Sequence, residues 1–151
     1  MKEIKRIASL FEEMYDGTPW IDVNLKDTLE KISAEQASAK VLPNRNSIWE
    51  IVNHVISWRE HVLARLQGKQ VKHPEANYFS PVTNTSAAQW KKTLKRLENS
   101  QRKWLRFLKK FKDANLHKTY SDNPQTHSKL IQAIMHHDVY HLGQIVLLAK
   151  R

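Results

Sequence analysis

The chain of 151 residues contains no cysteine. That absence excludes a disulfide framework, a thiolate nucleophile and any Cys-type zinc site, and it leaves His, Asp and Glu to carry metal chemistry. Glycine and proline are scarce, at three and five residues, so few positions can break a helix. The glycine-rich loops that cradle phosphates are missing, and so is the G-x-S-x-G elbow of a serine nucleophile. Long apolar runs are missing too: Glu3, Glu12, Glu13 and Asp16 interrupt the opening segment, and nothing later approaches the roughly 20 apolar residues of a membrane span. The expectation is a cytoplasmic protein, neither exported nor membrane-spanning. Acidic residues are outnumbered, 15 against 25 Lys plus Arg, for a net charge of +10. Such a field favours anionic partners. Only the stretch from Lys91-Lys92 to Lys109-Lys110-Phe111-Lys112 is concentrated, however, and a solvated basic helix face accounts for it better than a nucleic-acid interface does.

What is present is helical periodicity. Forty per cent hydrophobic content over this length suits one compact domain spanning residues 1–151. Ile4, Ile7, Leu10, Phe11 and Met14 form a stripe over Lys2–Tyr15, closed by the turn residues Asp16-Gly17-Thr18-Pro19. A shorter helical piece follows over Asp22–Lys31. The next long helix is Ser47–Gln67, with Ile48, Ile51, Val52, Val55, Trp58, Val62 and Leu66 facing inward and Gly68 as its stop. From Gly68 to Thr85, Pro74, Asn77, Pro81 and Asn84 mark a long connection that crosses one end of the molecule. A third long helix starts near Ser86 and carries Trp90, Leu94, Leu97, Trp104, Leu105, Leu108 and Phe111. Asp122-Asn123-Pro124 and Thr126 precede the fourth, where Leu130, Ile134, His137, His141, Ile145 and Leu148 share a seam. Strand signals are absent. The simplest way to bury all four stripes is an all-α four-helix bundle with a long connection between its second and third helices.

Two histidines four apart, His137 and His141, project from one helix face about a turn apart, so one ion can reach both. Ile134 and Ile145 on the same seam turn that face inward. His54 lies three residues after Ile51 and four before Trp58, on or beside the buried stripe of its own helix. Three inward imidazoles from two helices form the set with which a catalytic zinc-type site keeps one position open. His61, His73, His117 and His127 read as ordinary surface histidines. Asp138 and Gln144 are candidates to hydrogen-bond the outer nitrogen of a ligating imidazole, as metal-bound histidines require, with a solvated surface position as the alternative for each. Arg59 is either a surface arginine or an anion-holder at the mouth of the site. Gly143 either admits a close neighbour or is a tolerated helix glycine. His137-Asp138-x-x-His141 shares spacing with the metalloprotease H-E-x-x-H, but Asp is one methylene short of the Glu used there as general base.

The segments HVISWREHVLARLQG around His54 and HHDVYHLGQI around His137 and His141 resemble the signature helices of the DinB/YfiT-like superfamily. That family pairs one His midway along the second helix with H-x-x-x-H followed by x-G-Q on the fourth, and His54, His137, His141, Gly143 and Gln144 match it. The break at Gly17-Thr18-Pro19-Trp20 and the helix entry Ser47-Ile48-Trp49-Glu50 are also similar, so the likeness spans almost the whole chain. The resemblance implies a four-helix bundle with a bound divalent metal, a homodimer, and metal-dependent hydrolysis or thiol-dependent transfer.

The leading expectation is therefore an enzyme using one divalent ion, zinc or nickel ahead of copper or iron, with a low-molecular-weight thiol as a further candidate cofactor. The open position would lower the pKa of a bound water or thiol for attack on a small-molecule substrate. The alternative is a non-enzymatic, stress-related metal-binding protein, because no carboxylate is placed as general base.

Overall fold

The computed structural model describes residues 2–120 and 123–150. Among them are six α-helices: α1 (Glu3–Asp16), α2 (Leu25–Glu30), α3 (Ala34–Ser38), α4 (Ile48–Leu66), α5 (Ala87–Lys110) and α6 (His127–Ala149). Strands β1 (Thr119–Tyr120) and β2 (Asn123–Thr126) pair antiparallel just before α6. The molecule is mostly helical, as the periodicity predicts. The ribbon is the exception to the expected absence of strands, and it is too short for an alternating pattern to register. Asp122, expected just ahead of the last helix, lies outside the described residues.

Local chemistry sets the helix ends. Ser47 caps α4 and forms a capping box, its Oγ accepting from the Glu50 amide at 3.2 Å and the Glu50 carboxylate accepting from the Ser47 amide at 2.8 Å. Ser33 and Gln36 build a second box that starts α3. The S-x-x-Q pattern announces α3, although the periodicity reading passes over so short a helix. The piece expected over Asp22–Lys31 shrinks to α2, because Asp22 adopts a positive φ and Asn24 caps the helix by accepting from the Asp27 amide. At the end of α1, Gly17 packs so closely that a Cβ would lie 2.7 Å from Glu13 Cα. The start of α1 is capped from afar: the Asp113 carboxylate accepts from the amides of Glu3 and Ile4.

The four long helices bury two apolar clusters. One joins Trp49, Val52 and Ile56 of α4 to Trp90 and Leu97 of α5 and Leu142 and Ile145 of α6. The other joins Ile7 and Phe11 of α1, Val62 and Leu66 of α4, Trp104 and Leu108 of α5, and Ile131 and Ile134 of α6. Around their junction, α4, α5 and α6 contribute a buried polar belt: His54, Arg59, Ser100, Gln101, Asp138 and His141. The Lys and Arg residues of α5, including Lys91, Lys92, Arg96, Lys103 and Arg106, are exposed, as expected of a solvated face.

Candidate metal centre

Polar side chains inside a helical protein must find partners. The sequence-predicted histidines His54, His137 and His141 come together: each offers one ring nitrogen, and these atoms all lie within 4.8 Å of one another. His54 and His141 are buried and His137 is half-buried. The His54 Nδ1–H donates to the Asn77 carbonyl at 2.6 Å, and the His141 Nδ1–H donates to Gln144 Oε1 at 2.7 Å. In a neutral ring, a proton on Nδ1 leaves a lone pair on Nε2. The outer bonds thus select the tautomer that presents Nε2 as an electron donor in two of the three rings.

His54 Nε2 lies 2.9 Å from His137 Nε2. Two acceptor nitrogens at that distance repel unless a proton or a cation lies between them. If His137 supplies the proton, its own Nδ1 is left as a buried acceptor, and that atom has no hydrogen-bond partner. A cation shared by the lone pairs removes the conflict, so the donor set fits a divalent ion of the imidazole-binding kind. The rings are also held neutral. Burial pulls His137 down to about 3, with His141 and His54 adding to the effect. Burial also lowers His54 and His141, against the raising influence of the Asn77 carbonyl and of Gln144 respectively.

The connection between α4 and α5 supplies what the sequence did not announce. Rather than only crossing an end, its segment Glu75–Phe79 lies against the middle of α4. Phe79 stacks on His54 with ring centroids 3.9 Å apart and planes 7° off parallel. Trp58 Nε1 donates to Asn77 Oδ1 at 2.9 Å, and His61 Nδ1 shares a hydrogen bond with the Tyr78 hydroxyl at 2.8 Å. Ala76, Asn77 and Tyr78 carry φ values of 47, 54 and 61°. Three successive non-glycine residues in the left-handed region cost on the order of 1–3 kcal/mol each. The anchors along α4 hold them there.

Several side chains depart from expectation. His61 is buried, not a surface residue, because α4 is covered nearly all round and Tyr78 closes over it. His73 and His117 are exposed as expected, and His127 is half-buried against the Asn115 carbonyl. Arg59 is neither at the surface nor at the mouth of the site: it is 1% exposed. Its Nε donates to Asp138 Oδ2 at 2.9 Å, one terminal nitrogen to Ser100 Oγ at 3.1 Å and the other to Gln101 Oε1 at 2.9 Å. Asp138 accordingly serves Arg59, whereas Gln144 does meet a histidine of the cluster. Burial pushes the Asp138 carboxyl up while the Arg59 guanidinium pulls it down. Gly143 admits no neighbour, since an added Cβ would meet nothing within 4 Å.

A family model described as the DinB superfamily matches residues 23–145. The chain belongs to the DinB superfamily. The matched range runs from α2 into α6 and includes all three clustered histidines, whereas α1 lies outside it. No curated protein and no solved structure matches the chain. A DinB-like protein with a buried three-histidine group fits metal binding.

Proposed function

We propose that this DinB-superfamily chain, read as a four-helix bundle of α1, α4, α5 and α6, is a divalent-metal-dependent enzyme whose ligands are His54, His137 and His141. The observation that carries the reading is the tautomer control at the site: the Asn77 carbonyl and Gln144 turn two Nε2 lone pairs toward a third imidazole. A divalent ion there supplies Lewis acidity and favours the deprotonated form of an oxygen or sulfur ligand. The chain's own residues do the rest. Three neutral rings bring no compensating charge, Phe79 shields one side of His54, and the adjoining cavity of about 560 Å³ has room for a small molecule. Hydrolysis and transfer to a low-molecular-weight thiol both fit such a site. Because the chain lacks cysteine, the thiol would be diffusible.

A second reading, a metal-binding protein without catalysis, is favoured by one observation: among the described residues, neither Asp nor Glu lines that cavity to act as general base. The same assay separates the two. Metal-loaded protein should accelerate either conjugation of an electrophile to a small thiol or hydrolysis of an activated ester, and His141→Ala should lose the rate while remaining folded by circular dichroism. A broad panel showing no rate above that of free metal selects the non-catalytic reading.

A further inference from the structure

The cavity in front of the three histidines has an apolar wall, in which Leu42, Phe79 and Leu147 take part, and one cationic corner at Arg45. Arg45 ends a tight turn closed by its amide donating to the Leu42 carbonyl at 3.3 Å, with Asn44 at a φ of 55°. That turn leads directly into the capped start of α4, so it is fixed to the helix that carries His54. The Arg45 side chain is exposed and takes part in no ion pair among the described residues. The other titratable side chains on the cavity wall are Tyr140 and the histidines themselves. The site therefore has a positive charge at its rim, an adjacent side-chain amide at Asn46 and, among the described residues that line it, no anion to answer them. Arg59, on α4 itself, differs: it is buried and its donors are taken.

We infer that the ligand of this cavity is a small amphiphilic carboxylate, whose apolar body lies against Phe79 and Leu147 and whose carboxylate pairs with Arg45. The inference rests on the metal-centre reading, because the ion, uncompensated by three neutral rings, adds further positive charge to a pocket with no acid among its described lining residues. A carboxylate matches the single planar guanidinium, which offers two parallel donors to two oxygens. Arg45 is thus a specificity residue and not a group that reacts.

The test uses cobalt-loaded protein and two isosteric thiols, 3-mercaptopropionate and 3-mercaptopropanamide, each titrated by its sulfur-to-cobalt absorption. The quantity read is the ratio of the two affinities, compared between wild type and Arg45→Gln so that intrinsic thiol acidity cancels. The ratio should favour the carboxylate about tenfold more in wild type than in the variant, the order of one charge-assisted hydrogen bond. Affinity for the amide should be unchanged, and Arg45→Lys should restore part of the preference. A ratio equal in wild type and Arg45→Gln overturns the inference, whether the carboxylate is ignored or bound elsewhere. A phosphonate analogue that gains more from Arg45 than the carboxylate does also overturns it. If cobalt gives no tetrahedral absorption bands at all, the metal-centre reading fails and the inference falls with it. Cobalt bands without the Arg45 dependence sink the inference alone.

Discussion

The polar belt contains two clusters that share α4 and α6, and they differ in how far their groups satisfy one another. Arg59, Asp138, Ser100 and Gln101 form a set closed on the guanidinium side: every guanidinium nitrogen donates to a side-chain oxygen, and Gln101 in turn donates to the Phe11 carbonyl at 3.0 Å. The group ties α4 to α5, α6 and α1. The three histidines form an open set, bonded outward to Asn77 and Gln144 and converging inward on acceptors. A cluster whose charges pair internally is architecture, although Asp138 Oδ1 is left buried without a hydrogen-bond partner. A cluster whose lone pairs converge without donors is the one to which an ion can bind. Residue type alone does not separate them, since His61 is a buried histidine whose Nδ1 already meets the Tyr78 hydroxyl.

The strongest way to break the comparison is to remove members of the open set. His54→Ala, His137→Ala and His141→Ala are each expected to abolish stoichiometric metal binding, read by elemental analysis of protein purified without an affinity tag. His61→Ala should keep one ion per chain. Full occupancy in any of the three variants removes that residue from the ligand set.

Next in size is the closed set. Arg59→Ala leaves Asp138 buried and uncompensated, and should cost about 3–5 kcal/mol in urea unfolding. Replacing the pair together, Arg59→Met with Asp138→Leu, should recover most of that loss because an apolar pair of similar volume fills the space. Metal occupancy in the double variant should be unchanged. A double variant as unstable as the single would show that the ion pair holds the helices in a way that packing cannot.

Acid sharpens the comparison further. Burial lowers the folded-state pKa of His54, His137 and His141 below the ordinary 6.5, so the unfolded chain takes up protons first as the pH falls. Their contribution to stability is complete above about pH 6.5 and declines below it, through the window that ends near 3 where His137 itself titrates. Metal affinity should fall over the same window, since a ligating imidazole must be neutral. Urea midpoints of metal-free protein measured from pH 8 to 5 should therefore drop, and His137→Gln should flatten the slope. Equal slopes for the two proteins would show that His137 is not held neutral by the fold.

The smallest effect concerns Gly143. Its open surroundings predict that Gly143→Ala stabilises the helix by up to about 1 kcal/mol without changing metal occupancy. A loss of metal would mean that the bare backbone there has a role in the site.

Much of this was legible in the sequence, and the reasons are physical. The long helices announce themselves because each must bury a stripe, and α4 because Ser47-x-x-Glu50 is a capping box. The three histidines could be grouped because each shares a face with isoleucines that have to be inside. Gln144, three residues beyond His141, is within reach of it on the same helix. The burial of Arg59 was readable in principle, lying three residues from both Ile56 and Val62, but charge argued for the surface until a partner was known. That partner is on another helix, 79 residues away. The Asp113 cap of α1 and the Asn77 bond to His54 are equally nonlocal. The latter involves no side chain of Asn77 at all.

That last feature changes what inheritance can do to the site. The group orienting His54 is a main-chain carbonyl, so substitution at position 77 removes no atom of it and acts only through the backbone and the Asn77 Oδ1 anchor to Trp58. What mutation can damage is the path of the backbone through Ala76, Asn77 and Tyr78, all at positive φ. Selection over these three positions acts on dihedral angle. An apolar-for-apolar exchange such as Ala76→Val, conservative by composition, would turn the carbonyl from the imidazole because a β-branched residue resists that conformation.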